Sequence, residues 1–218
     1  MKIRYEEMFP DEFKAASVHK PIAYLPLGVM EFHGWHNVLG LDSLKAQRIC
    51  ELAAAKTGGI VLPTLSIGYD LFPWQDASKA KQKVYDCYTI DPDLYQKVLE
   101  QYFDDILQLG FKKLIVIAGH YPNKDIALKA AERVKEAGQV IYILKEPDLL
   151  NESGDHAGTW ETSLMMAMFP DLVDLERAKP GQDRLLAVWG KDPRDSSAEY
   201  GQQCLDQIIA GIETLANE

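Results

Sequence analysis

Two short runs, Ile22–Leu27 and Leu114–Ala118, are apolar at nearly every position, and each stops at a glycine with a histidine soon after. A strand with one wet face alternates polar and apolar residues, so runs without that alternation read as strands buried on both faces. The segments between and beyond them carry helical spacing. Asp42 or Ser43 can cap a helix whose Ala46, Ile49, Cys50 and Ala53 share a face and which Gly58 and Gly59 stop. A short strand, Ile60–Leu62, follows. Asp91 caps a second helix through Tyr95, Leu99, Tyr102 and Ile106 to Gly110, with Pro92 in its first turn. A third helix spans Asp125 to Ala137, and Gly138 leads into strand Val140–Leu144. Glu161 to Met168 reads as a short buried helix. A last amphipathic helix puts Leu205, Ile208, Ile209 and Ile212 on one side.

Strands alternating with helices define the α/β class, with a mostly parallel sheet covered on both faces. The chain has 218 residues with no repeat, low-complexity tract or linker, which predicts one domain over residues 1–218. Thr64–Thr89 lacks a clean period and reads as a long irregular excursion, the kind of loop that often carries function. In such a sheet the chemistry is expected at the carboxyl ends of the strands.

Charge excludes one broad class. The formal net charge of −10 is opposite to what a general nucleic-acid binder needs for phosphate contacts. Hydrophobic residues at 47% and charged residues at 26% rule against a disordered or collagenous chain. Acidic residues interrupt the first fifteen positions, and no stretch approaches a membrane span, so a cytoplasmic protein is expected. Cys50, Cys87 and Cys204 form no CxxC pair and read as small buried apolar residues.

The densest chemical signal is Glu31-Phe-His33-Gly-Trp-His36, followed by Asp42, directly after the first strand. Imidazoles and carboxylates together suit zinc, manganese or iron, and two carboxylates with two or three imidazoles can hold a pair of divalent ions. A second signal, Gly119-His120-Tyr-Pro-Asn123, stands where the strand Leu114–Ala118 ends. The third is Asp155-His156-Ala-Gly-Thr-Trp160-Glu161-Thr162-Ser163. Taken singly, His120 reads as a hydrogen-bonded structural histidine, His36 as a loop residue, Glu161 as a helix-start carboxylate, and Trp35, Trp74 and Trp160 as packing groups. Their joint occurrence changes the balance, because carboxylates and imidazoles converging on one rim are poorly satisfied unless a cation joins them. The chain has no GxxxxGK[ST], GxGxxG after a strand, GxSxG or HExxH. Phosphate cradles, dinucleotide folds, serine triads and zincin sites lose their usual markers.

The three segments together resemble the creatininase, or creatinine amidohydrolase, family. The resemblance rests on Pro26, Gly28, Glu31, His33, Gly34, His36 and Asp42, then on Gly119, His120 and Asn123, then on His156, Glu161, Thr162 and Ser163, and it covers about Pro21 to Pro170. It implies a three-layer α/β/α sandwich, assembled as a homo-oligomer such as a hexamer, which uses two divalent metals to hydrolyse a C–N bond of a small amide, formamide or cyclic urea. By position, Glu31, Asp42 and His120 would hold one metal, and Asp42 would bridge to a second held by His33 and one more carboxylate. Where creatininase carries that carboxylate this chain has Pro122, so the resemblance passes the role to Glu161. The family's Pro-Gly-Thr segment is not evident in Thr64–Thr89, which implies a different pocket.

The mechanism expected is attack by a metal-activated water on the amide carbon, with His156 as the proton donor to the leaving nitrogen and His36 in reserve. Tyr121, Trp35, Trp74 and Trp160 are the candidate walls for a flat substrate. The competing readings are formamide hydrolysis at the same site, a protein that kept the fold and binds metal or a small ligand without turnover, and a structural domain.

Overall fold

The computed structural model describes residues 2–69, 88–134, 138–150, 153–178 and 185–218. Among these residues the central sheet has four parallel strands, β1 (Ile22–Leu27), β2 (Ile60–Val61), β3 (Lys113–Ala118) and β4 (Val140–Leu144), in the order β2-β1-β3-β4. All six residues of β1 are buried, and so are all of β3 except Lys113, as the lack of alternation predicts. The helices are α1 (Pro10–His19), α2 (Leu41–Thr57), α3 (Pro92–Gln108), α4 (Asn123–Val134), α5 (Thr159–Met168) and α6 (Ala198–Asn217).

Side chains alternate across the strands and feed two separate cores. Leu25, Leu27, Leu114 and Val116 pack with Leu99 and Phe103 of α3 and Ile126 and Ala130 of α4. Tyr24, Ile115 and Ile117 pack on the other face with Ile49 of α2, Leu164 of α5, and Ile208 and Ile212 of α6. The result is the expected three-layer α/β/α sandwich. At about 25 cal/mol per Å² of apolar area, each fully buried Leu, Ile or Phe contributes roughly 1.5–3 kcal/mol. Cys50 and Cys204 are buried within the second core, as expected, while Cys87 lies outside the described residues.

The chain leaves β1 towards β2 on one side and β3 towards β4 on the other, so the connection order reverses between the adjacent strands β1 and β3. A crevice opens at the carboxyl ends of strands at such a reversal. Leu27 pairs with Ala118 at that rim, which delivers the Glu31 loop and His120 side by side. Gly119 brings them closer still: a Cβ there would strike the backbone carbonyl of Asp42 at the start of α2. Gly119→Ala is therefore expected to destabilise the protein by about 1–3 kcal/mol, the usual range for overpacking. Urea unfolding checks this, and a loss too small to resolve would mean that the β3–α2 approach is not tight.

Several boundaries differ from the sequence reading. Helix α1 has no counterpart in it, because a surface helix with only Ala16 buried leaves almost no apolar period. Glu12 secures its start by accepting the Phe9 N–H at 2.9 Å. Helix α2 begins at Leu41 after Gly40, with no side-chain cap, so neither Asp42 nor Ser43 caps it. Helix α5 starts two residues before Glu161, and Asp155 caps it by accepting the backbone N–H groups of Trp160 at 2.8 Å and Glu161 at 3.0 Å. Most of Thr64–Thr89, with Trp74, lies outside the described residues.

Candidate active site

Five side chains from four segments meet at the β1/β3 rim. Glu31 and His33 come from the loop after β1, Asp42 from the first turn of α2, His120 from the end of β3 and Glu161 from the first turn of α5, and all five are buried. His120 Nδ1 stands 3.1 Å from Glu31 Oε2 and 3.2 Å from Asp42 Oδ2. His33 Nε2 stands 3.2 Å from Asp42 Oδ1 and 3.8 Å from Glu161 Oε2. Asp42 thus turns one oxygen to each imidazole, and Glu31, Asp42 and His120 form one ligand-capable group while His33, Asp42 and Glu161 form another.

The ring tautomers are set by bonds on the far side of each imidazole. His120 Nε2 donates to the Tyr69 carbonyl at 3.0 Å, and His33 Nδ1 donates to the Glu31 carbonyl at 3.2 Å. Each turns its other nitrogen to the carboxylates, where loss of its proton would free a lone pair for a cation, the arrangement that fixes metal-binding histidines. Asn123 braces the rim by donating to the Gly28 carbonyl at 3.3 Å and accepting from Tyr69 N–H at 3.3 Å.

Despite their proximity, Glu31 Oε2, His33 Nε2 and Asp42 Oδ2 have no hydrogen-bond partner among the described residues. Orphaned buried polar atoms are costly, and here they point at one another. A divalent cation fits such a set, since it satisfies oxygen and imidazole lone pairs together. Without one, the imidazoles must supply the positive charge. Burial pulls His33 and His120 down, but Asp42 and the neighbouring carboxylates outweigh it, holding His33 up at about 9 and His120 at about 10. Burial likewise opposes ionisation of Asp42 and Glu31, yet the facing histidines hold both below the usual carboxylate range.

His156 stacks on His33 with ring centres 4.3 Å apart and forms a further ligand-capable group with Glu31 and His33. Burial and the neighbouring His33 charge pull it below the ordinary imidazole range, so it is neutral near pH 7. His156 and Trp189 exchange two backbone hydrogen bonds of 2.9 Å, and their rings lie 4.7 Å apart. Trp189 is half exposed and walls this side of the cluster, a role the sequence reading missed because it stands in a Pro/Gly-rich passage without period. Ala157, next in chain, adopts φ +53°, and its N–H donates to Glu161 Oε2 at 2.7 Å. A non-glycine residue in the left-handed region beside the cluster is strain of the kind that persists at functional sites.

The other expected residues are placed differently. His36 donates to the Ala157 carbonyl at 3.0 Å, close to the Thr162 hydroxyl at 3.2 Å, and so ties the β1 loop to α5. Trp160 is buried in the α2–α6 core, which makes it a packing group behind Glu161 rather than an open wall. Tyr121 packs at that core's edge with its hydroxyl buried and unpartnered, and Trp35 is half exposed with its ring edge on Phe32.

Sequence reasoning also missed Lys45 and Glu146, both fully buried. Lys45 Nζ donates to Glu161 Oε1 at 2.5 Å and stands 3.5 Å from Glu146 Oε1. Burial raises the Glu146 carboxyl to about 7 despite Lys45. The available signals were a lysine one helical turn after Asp42 on the Ala46 and Ile49 side of α2, and an acid two residues past the end of β4.

A doubly covered parallel sheet with a buried carboxylate–imidazole cluster at its switch point defines an α/β protein whose site suits divalent cations. The chain belongs to the creatininase family: the family model described as creatinine amidohydrolase matches residues 6–216. Creatinine amidohydrolase from Pseudomonas putida is 26% identical, over 90% of this chain and 89% of its own. The fold superimposes on a crystal structure of creatininase with a TM-score of 0.81 at 22% identity, covering 98% of this chain and 96% of the other. A creatininase in its Mn form gives a TM-score of 0.79 at 22% identity, with 99% and 97% covered. No described helix is long and apolar enough to cross a membrane.

Proposed function

We propose that this protein is a metal-dependent amidohydrolase that cleaves a C–N bond of a small amide, formamide or cyclic urea. The observation that carries this reading is the division of Asp42 between two three-residue groups, one oxygen facing His33 and the other His120. Glu31, Asp42 and His120 would hold one ion, and His33, Asp42 and Glu161 the other. The same chemistry in relatives supports it, since solved creatininases include a Zn–Zn form and a Mn form. Divalent ions bound there would supply Lewis acidity, the means of activating a water near neutral pH and of steadying an amide oxyanion. The protein's own groups orient the substrate and move the protons.

His156 is the proton carrier. It is neutral at rest, so it first takes a proton as the attack proceeds and then gives it to the departing nitrogen. Trp189, against His156, is an aromatic surface for a flat substrate. Such a substrate is small, and the net charge of −10 disfavours a polyanionic macromolecule as partner. We assign the protein to the cytoplasm, as the sequence reading does, and to a homo-oligomer, following the family resemblance.

The test is metal analysis of protein purified without chelator, followed by hydrolysis assays over cyclic amides, ureas and formamides. Two divalent ions per chain and turnover of one class support the reading. Two ions with no turnover anywhere would favour a ligand-binding protein that lost catalysis. With a working substrate, His156→Asn is expected to lower kcat by about 10²–10⁴-fold, the usual contribution of a general acid–base, with KM little changed. An unchanged kcat would remove His156 from the reaction.

A further inference from the structure

Lys45 has no part in the chemistry assigned above, yet it is the only buried lysine or arginine among the described residues. An ammonium is taken out of water only where strong compensation exists. Its partners are Glu161 at 2.5 Å and Glu146 at 3.5 Å, with the Tyr121 and Trp160 rings 5.1 and 5.9 Å away. Among the described residues neither carboxylate oxygen of Glu146 has a hydrogen-bond partner, and Lys45 only partly offsets the burial that raises its carboxyl to about 7.

This arrangement makes the two ligand groups unequal. Around Glu31, Asp42 and His120, no buried lysine or arginine stands against the carboxylates among the described residues. In the group of His33, Asp42 and Glu161, one carboxylate already carries an ammonium on its other oxygen. An ion entering there meets a fixed positive charge at short range in a poorly screened interior. Lys45 could instead strengthen that position by holding Glu161 in place. That benefit is small, because Ala157 N–H already fixes Glu161 Oε2 at 2.7 Å. Repulsion therefore dominates.

We propose that Lys45 is a built-in counter-cation of Glu161 that makes the His33–Asp42–Glu161 position the weaker, exchangeable one of the two metal positions. This rests on the dinuclear metal reading above. It also gives Lys45 a second effect: it compensates Glu161 while that position is empty.

The experiment titrates metal-free protein with zinc against a chromophoric chelator and resolves the two binding steps. In the natural protein the second ion is expected to bind at least about tenfold more weakly than the first. Glu161→Gln should lose the weak ion and keep the tight one, which places the weak step. Lys45→Met, and Lys45→Met/Glu146→Gln, which leaves no orphan acid at position 146, should tighten the second step by about tenfold or more and leave the first nearly unchanged. The metal-free variants should melt at lower temperature, and zinc should restore them. A merely structural lysine would not produce a gain in affinity. Equal steps in the natural protein overturn the proposal, as does a second step that is unchanged or weaker in the double variant. A natural protein that binds no zinc overturns the metal reading together with the proposal, whereas two ions with equal steps overturn only the role of Lys45.

Discussion

Asp42→Asn is expected to strip both ions from the protein in a single substitution and to lower hydrolysis by about 10³-fold or more. The reasoning is geometric. Oδ1 faces His33 and Oδ2 faces His120, each at 3.2 Å, so Asp42 is the one side chain common to the two groups that include His33–Glu161 and Glu31–His120. Asparagine keeps the shape, but replaces one oxygen with an NH₂ that cannot ligate and removes the charge that binds cations. Glu31→Gln and Glu161→Gln should each empty one position, so the three variants separate a shared carboxylate from two independent ones. Metal analysis decides the matter without any substrate. An Asp42→Asn protein that still carries one ion at full occupancy would show that Asp42 does not bridge. Glu31→Gln/Asp42→Asn should be empty at both positions, and metal retained there would leave the cluster no metal role.

The parts of this site visible in the sequence are those that obey a local rule. Glu31, His33 and His120 sit just past unbroken apolar runs, and a parallel sheet presents such positions on one rim, so strand-end logic finds them. Glu161 is legible through the family resemblance, and the structure brings it to His33 and Asp42. Asp42 is visible as a residue, but its environment is not: by local spacing it resembles a helix cap, whereas Gly119 pulls β3 against α2 and turns Asp42 into a buried anion. Lys45 and Glu146 fall out of reach for the same reason. On a helical wheel a lysine beside Ala46 reads as a solvated edge, and it takes α5, Glu146 and Tyr121 packed across α2 to enclose it. Helix α1 illustrates the opposite failure, a helix whose burial is too slight to leave a period. The residues whose roles depend on tertiary enclosure are therefore the ones that pattern alone misassigns.

The metal-free and metal-loaded proteins should respond to alkali in opposite ways. His33 and His120 are raised to about 9 and about 10 in the metal-free fold, above the ordinary imidazole value of about 6.5. Their ion pairs with Asp42 and Glu31 therefore contribute stability that is fully present below about pH 6.5 and is lost as pH rises through 9 to 10, a loss of several kcal/mol. On the acid side, the depressed carboxylates lose their contribution as pH falls through their own low values. Metal binding runs against the first trend. Each ion requires a neutral imidazole, so each position must displace one proton at pH 7, and its affinity rises about tenfold per pH unit until the histidine titrates. Two predictions follow from one pair of groups: between pH 7 and 9 the metal-free protein becomes easier to unfold, while each ion binds up to about 100-fold more tightly. Urea unfolding in chelator measures the first, and zinc calorimetry in buffers of different protonation enthalpy counts the protons for the second. About two protons released per chain on loading at pH 7 is the expected count; a count near zero would mean that His33 and His120 are already neutral and that the cluster is not held together by imidazolium–carboxylate pairs.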